Sequence, residues 1–72
     1  MNRTAQLTPT LARREKEALK RISEGLTSQE VADRMGISKR TVDFYLESIY
    51  RKLGVKNRVS ALAIARKRGW ME

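Results

Sequence analysis

The chain has 72 residues and carries 16 lysines and arginines against eight aspartates and glutamates, a net charge of +8. That length suits a single domain with a small core. The sequence has no cysteine and no histidine, which removes disulfides and the usual zinc ligands, and no apolar run approaches the roughly 20 residues of a membrane span. The first residues carry no apolar stretch of the signal-peptide kind. With no histidine, cysteine, phosphate-binding loop or pair of carboxylates in an apolar setting, no catalytic residue and no cofactor is expected.

The charge is uneven. Residues 1–36 hold seven basic and five acidic groups, net +2, whereas residues 37–72 hold nine and three, net +6. A positive field that grows along the chain suits a polyanion such as DNA, RNA or an anionic surface.

Residues 1–7 read as a flexible polar segment, and residues 8–72 as the domain. Thr8 followed by Pro9 has the form of an N-cap with proline at the first helical position, and Thr10 competes as the cap. The first helix is predicted over 9–24, with Leu11, Ala18, Leu19 and Ile22 on one stripe. Glu15 falls on that same stripe. A carboxylate there needs a partner; Arg58 is the first candidate and Lys52 the second. Gly25 ends the helix, and Leu26 supplies the apolar contact after a glycine cap.

The second helix is predicted over 28–35. Thr27 and Glu30 have capping-box spacing, each reaching the other's backbone amide. Val31, Ala32 and Met35 form its apolar face, and Gly36 can take the positive φ that closes a helix. Ser38 then caps a third helix over 39–53. In it Val42, Leu46, Ile49 and Leu53 recur at i, i+4, i+7 and i+11. At about 100° per residue they make one narrow stripe. The opposite face carries Arg40, Phe44, Glu47 and Arg51, with Asp43 and Ser48 beside it. Two helices joined by a glycine turn form a helix-turn-helix, whose second helix enters the DNA major groove.

Gly54 closes the third helix, Lys56 lies in a basic connector, and Asn57 caps a fourth helix predicted over 58–68. That helix is apolar on more than one side, through Val59, Ala61, Leu62, Ala63, Ile64 and Ala65. Arg66, Lys67 and Arg68 suit the negative end of its dipole. Gly69 stops it, and Trp70 folds back on the domain. The expected core is Leu11, Ala18, Leu19, Ile22, Leu26, Val31, Ala32, Ile37, Val42, Leu46, Ile49, Leu53, Leu62 and Ala65. The fold class is all-α, four helices with short loops.

The sequence resembles the LuxR/GerE-type helix-turn-helix domain of bacterial transcription regulators. Residues 11–19, Leu-Ala-Arg-Arg-Glu-Lys-Glu-Ala-Leu, are similar to the family's L-T-x-R-E-x-E-V-L opening. Residues 22–32 are similar to I-x-x-G-x-S-N-K-E-I-A, residues 37–42 to I-S-x-x-T-V, and residues 49–58 to I-x-x-K-L-x-V-x-N/S-R. The likeness extends from 11 to 69. It implies sequence-specific binding of double-stranded DNA, a regulatory role in transcription, and a bacterial, cytoplasmic, nucleoid-associated setting. Because no sensor or receiver segment precedes the motif, a stand-alone GerE-like regulator is the expected architecture. Ala12 replaces the family's usual threonine, Tyr45 stands where histidine is common, and Asp43 and Glu47 stand where relatives are often basic.

On this reading Ser28, Gln29, Thr41 and Tyr45 hold phosphates near helix N-termini. Lys39, Arg40, Ser48, Arg51, Lys52, Lys56, Asn57 and Arg58 flank the groove. Asp43, Phe44 and Glu47 face base edges, and the two carboxylates are compensated either by accepting from cytosine N4 or by an ion pair with Arg40 or Arg51. Lys52 and Arg58 have an inward alternative, as caps or as partners of a carboxylate. Val59, Ala63 and Ile64 are the expected dimer face. Sigma-factor region 4 has a similar opening but lacks the connector and the alanine-rich fourth helix. A different class of function is a small adaptor that docks on RNA polymerase or another regulator through Asp43 and Glu47; the charge of +8 disfavours it.

Overall fold

A computed structural model describes residues 11–70. Four helices follow in order: α1 Arg13–Ser23, α2 Ser28–Met35, α3 Lys39–Leu53 and α4 Arg58–Lys67. The last three match the expected spans to within a residue. The first does not: it starts at Arg13, not at residue 9. Leu11 and Ala12 precede it, and Ala12 is extended, with φ −69° and ψ 158°. Alanine offers no side-chain oxygen to the helix. Only the returning half of a capping box is present, the Ala12 amide donating to Glu15 Oε1 at 2.8 Å. The expected caps Thr8 and Thr10 lie outside the described residues.

The other caps follow the sequence. Thr27 Oγ1 accepts from the Glu30 amide at 3.1 Å, and Glu30 Oε1 accepts from the Thr27 amide at 2.9 Å. Ser38 Oγ accepts from the Thr41 amide at 3.1 Å. Asn57 Oδ1 accepts from the Ser60 amide at 2.9 Å. In the turn between α2 and α3, Gly36 has φ +70° and the Ile37 amide returns to the Ala32 carbonyl at 3.0 Å. This left-handed closure lets α3 leave α2 at once, with only Ile37 and Ser38 between the glycine and the new helix.

α3 is the central element and touches each of the other three. Leu19, Ile49, Val31 and Val42 are the largest fully buried side chains. The core also holds Leu11, Ala18, Ile22, Ala32, Met35, Leu46, Ala61 and Ala65. Leu26, Ile37, Leu53 and Leu62, expected inside, are only partly buried and pack against its edge. Met35 and Ala61 join the core instead. An alanine-rich helix has no unique apolar face in sequence, and α4 turns its small Ala61 and Ala65 inward against the core. Arg14 Nη2 donates to the Met35 carbonyl at 3.1 Å and ties α1 to the end of α2. Trp70 lies against the core edge, with Lys16 Nζ and the Arg68 guanidinium each 5.4 Å from its ring centroid. Among the described residues, no helix is long and apolar enough to cross a membrane.

Candidate nucleic-acid interface

Burying Val42, Leu46 and Ile49 fixes the rotation of α3 about its axis. The same rotation turns Arg40, Phe44, Glu47 and Arg51 outward, and all four are exposed. The N-terminus of α2 sits beside this stripe. Ser28, Arg40, Asp43, Phe44, Glu47 and Arg58 line an open groove of about 490 Å³, with Leu46 and Tyr50 also in its wall. Residues from α2, α3 and the start of α4 therefore converge on one face. Tyr50 is absent from the residues singled out in the sequence; its i+3 spacing from Glu47 is the signal that places it there.

The carboxylates on this face differ in their surroundings. Asp43 Oδ2 accepts from Lys39 Nζ at 2.9 Å, not from Arg40 or Arg51, the two partners that the ion-pair alternative names. The pair has the favourable i,i+4 helix spacing. The Lys39 ammonium, helped by the Ser28 hydroxyl, holds the Asp43 carboxyl below its ordinary range. Glu47 has no ion-pair partner among the described residues.

The remaining candidates divide by what they touch. Gln29 Nε2 donates to Asp33 at 3.0 Å, and the Thr41 hydroxyl lies 3.0 Å from that of Ser38. Lys56 and Asn57 are exposed on the connector. Tyr45 is partly buried against the core, so its ring serves packing while one edge stays accessible. Ser48 and Lys52 turn inward: Ser48 Oγ donates to Glu15 Oε2 at 2.7 Å, and Lys52 Nζ reaches Glu15 Oε1 at 2.8 Å.

This corrects the expected partner of Glu15. The partner is Lys52, the second candidate, and Arg58 instead lines the outer groove. The reason is packing. α3 packs on α1 with its C-terminal half against Glu15, whereas Arg58 starts the next helix and lines the groove with Ser28, Arg40 and Glu47. Burial alone would raise the Glu15 pKa. The hydrogen bonds from Lys52, the Ala12 amide and Ser48 outweigh it and leave the carboxyl below its ordinary value.

On α4, Val59 and Ala63 are exposed and Ile64 is partly buried. A shallow depression of about 460 Å³, lined by Ala63, Ile64, Arg66 and Lys67, runs along this side.

Comparison with known proteins decides the family. The profile described as "Bacterial regulatory proteins, luxR family" matches residues 9–65. The chain belongs to the luxR family. This LuxR-type chain is 44% identical over 55 residues to a probable transcriptional regulatory protein, SgaR, of Hyphomicrobium methylovorum, covering 76% of this chain and 26% of that protein. It is 49% identical over 51 residues to the transcriptional activator protein AnoR of Acinetobacter nosocomialis, covering 71% and 21%. Its fold superposes on the response regulator ChrA of a heme-sensing two-component system with a TM-score of 0.80 and 39% identity, covering 85% and 30%. The chain thus spans about a quarter of the length of these two curated relatives. As a LuxR-type helix-turn-helix it is a DNA-binding domain of the kind found in transcription regulators, and its family is not an enzyme family.

Proposed function

We propose that this LuxR-type chain binds specific sites on double-stranded DNA and regulates transcription there. α3 lies in the major groove. Arg40, Phe44 and Glu47 meet base edges, and Asp43, through its ion pair with Lys39, aims that lysine along the groove wall. Arg51, Lys56 and Arg58 neutralise phosphates on either side, and the free amides and hydroxyls at the starts of α2 and α3 donate to further phosphate oxygens. Ser48 and Lys52 hold α3 on α1 through Glu15 and act as positioning residues. The observation that carries this reading is the phase of α3: its apolar stripe is buried and its Arg40, Phe44, Glu47, Arg51 stripe is exposed beside the α2 N-terminus.

Two chains associate through Val59, Ala63 and Ile64 of α4 on an inverted repeat. Small residues permit close helix approach, and a domain this small gains stability from a partner. The two α3 helices then sit about one DNA turn, roughly 34 Å, apart. The natural setting is the bacterial cytoplasm, at the nucleoid, with RNA polymerase as a further partner.

The test is selection of bound sequences from random duplexes, followed by titration of the selected site across salt concentrations. Enrichment of one inverted repeat, with affinity falling steeply as salt rises, is the expected result. Absence of duplex binding at low salt, together with salt-insensitive capture of RNA polymerase, would support the adaptor reading instead.

A further inference from the structure

Phe44 is an aromatic side chain on the outward face of α3. It is 63% exposed, in the middle of a helix whose other outward residues are charged. It is not part of the core or of the partly buried shell around it. Helix propensity does not favour phenylalanine over alanine or a charged residue. The other large exposed hydrophobic among the described residues, Val59, is on α4. Phe44 is thus an exposed apolar island between Arg40 and Glu47, with buried Leu46 and part-buried Tyr50 in the groove wall beside it, too small for a protein-docking patch of the usual size.

One ligand on this face fits such an island. A base pair shows the major groove hydrogen-bond donors and acceptors, and one apolar group, the C5 methyl of thymine. A phenyl ring has nothing to offer the donors and acceptors. Arg40 at i−4 and Glu47 at i+3 flank the ring on the same face, so its position along the groove is set by theirs. The unpaired Glu47 carboxylate accepts from exocyclic amino groups and is repelled by the O6 and N7 acceptors of guanine. We propose that Phe44 is a specificity-determining residue that reads the C5 methyl group of one thymine in each half-site, next to a base pair that offers an amino group to Glu47. This rests on the DNA-binding reading above and names what the face recognises.

The experiment uses the full chain on its selected duplex. Each thymine is replaced in turn by deoxyuridine, which removes only the methyl group. One position in each half-site should weaken binding by about fourfold, the effect of re-exposing one methyl-sized group. At that position a C·G pair should also bind worse, and 5-methylcytosine should recover part of the loss. Phe44→Ala should bind the parent duplex less well and respond equally to thymine and uracil, with Phe44→Leu intermediate. Melting curves check that both variants fold, as expected for an exposed position. Three results would overturn the inference: a selected site that tolerates uracil everywhere, a Phe44→Ala variant that still discriminates thymine from uracil, or binding without sequence preference. In the first two the DNA-binding reading stands. If no duplex is bound at low salt, that reading falls as well.

Discussion

Lys52 reaches back from the last turn of α3 and places its Nζ 2.8 Å from Oε1 of Glu15 in the first turn of α1. The same carboxylate accepts from Ser48 at 2.7 Å and from the Ala12 amide at 2.8 Å. One side chain therefore closes the first turn of α1 and ties it to the C-terminal half of α3. Glu15→Ala removes all three interactions. It is expected to cost about 3 kcal/mol, the low end for a buried pair, because the Lys52 side chain is 38% exposed. Urea unfolding of the variant checks this. An unchanged midpoint would mean that the network contributes nothing.

The acid limb follows from the same group. The Glu15 pKa is lowered on folding from its ordinary 4.5. A depressed carboxylate contributes stability that is fully present above its unfolded value and is lost as pH falls toward its folded one. Stability should therefore hold at neutral pH and decline below about 4.5, and Glu15→Gln should decline less steeply there. Melting temperatures at pH 7, 5, 4 and 3 distinguish the two chains.

The turn of the helix-turn-helix gives a cleaner backbone test. Gly36 sits at φ +70°, and a Cβ built there meets nothing within 4 Å. Gly36→Ala therefore introduces backbone strain and no clash, and should cost about 1–2 kcal/mol. Asparagine tolerates the left-handed region better, so Gly36→Asn should lose less. Equal losses for the two variants would point to something other than φ.

How far the sequence revealed this fold depends on whether the deciding interaction is local. The α2, α3 and α4 boundaries rest on Thr27, Ser38, Asn57, Gly36 and Gly54, each acting within four residues, and they were legible. The α1 start was misplaced because Pro9 offers an attractive first helical position, while Ala12 hides the cap. The remaining signal, a glutamate three residues after the cap, points to Ala12 only once the helix is known to begin at Arg13. The need of Glu15 for a partner was visible from periodicity. The choice of Lys52 over Arg58 depends on how α1 crosses α3, which no single helix encodes. Likewise, that α4 buries Ala61 and leaves Leu62 only partly buried depends on how the helix seats on the domain, which its own residues do not encode. The outward stripe of α3 was readable because its inward stripe was, but the pairing of Asp43 with Lys39 was not singled out among the cations within reach.

Packing of α3 is tested at Ile49, which is fully buried. Ile49→Ala should cost about 2–5 kcal/mol. In so small a domain that is a large part of the total, since native stability is about 5–15 kcal/mol. Circular dichroism on heating should show a lowered transition or none. A variant that melts with the parent would contradict the burial of this stripe.

The two acidic residues of the recognition face should behave differently, because one is paired and the other is not. Asp43 neutralises Lys39 in the free chain. Asp43→Asn removes that partner and leaves the ammonium available to a phosphate. One added phosphate contact steepens the slope of log K against log salt by about 0.9. The gain should be the same on selected and random duplexes, since a phosphate carries no sequence information. Glu47 has no ion-pair partner among the described residues. Near DNA an isolated carboxylate is repelled and desolvated unless a base donates to it. Glu47→Gln should therefore bind random DNA as well as the parent or better. It should also lose discrimination at one base pair by about 1–3 kcal/mol, as expected for a lost contact to an amino donor. Titrations of both variants on both duplexes at two salt concentrations separate the effects. A uniform rise in affinity for Glu47→Gln with an unchanged preferred sequence would mean that Glu47 reads no base. A specificity change in Asp43→Asn would mean that Asp43 does.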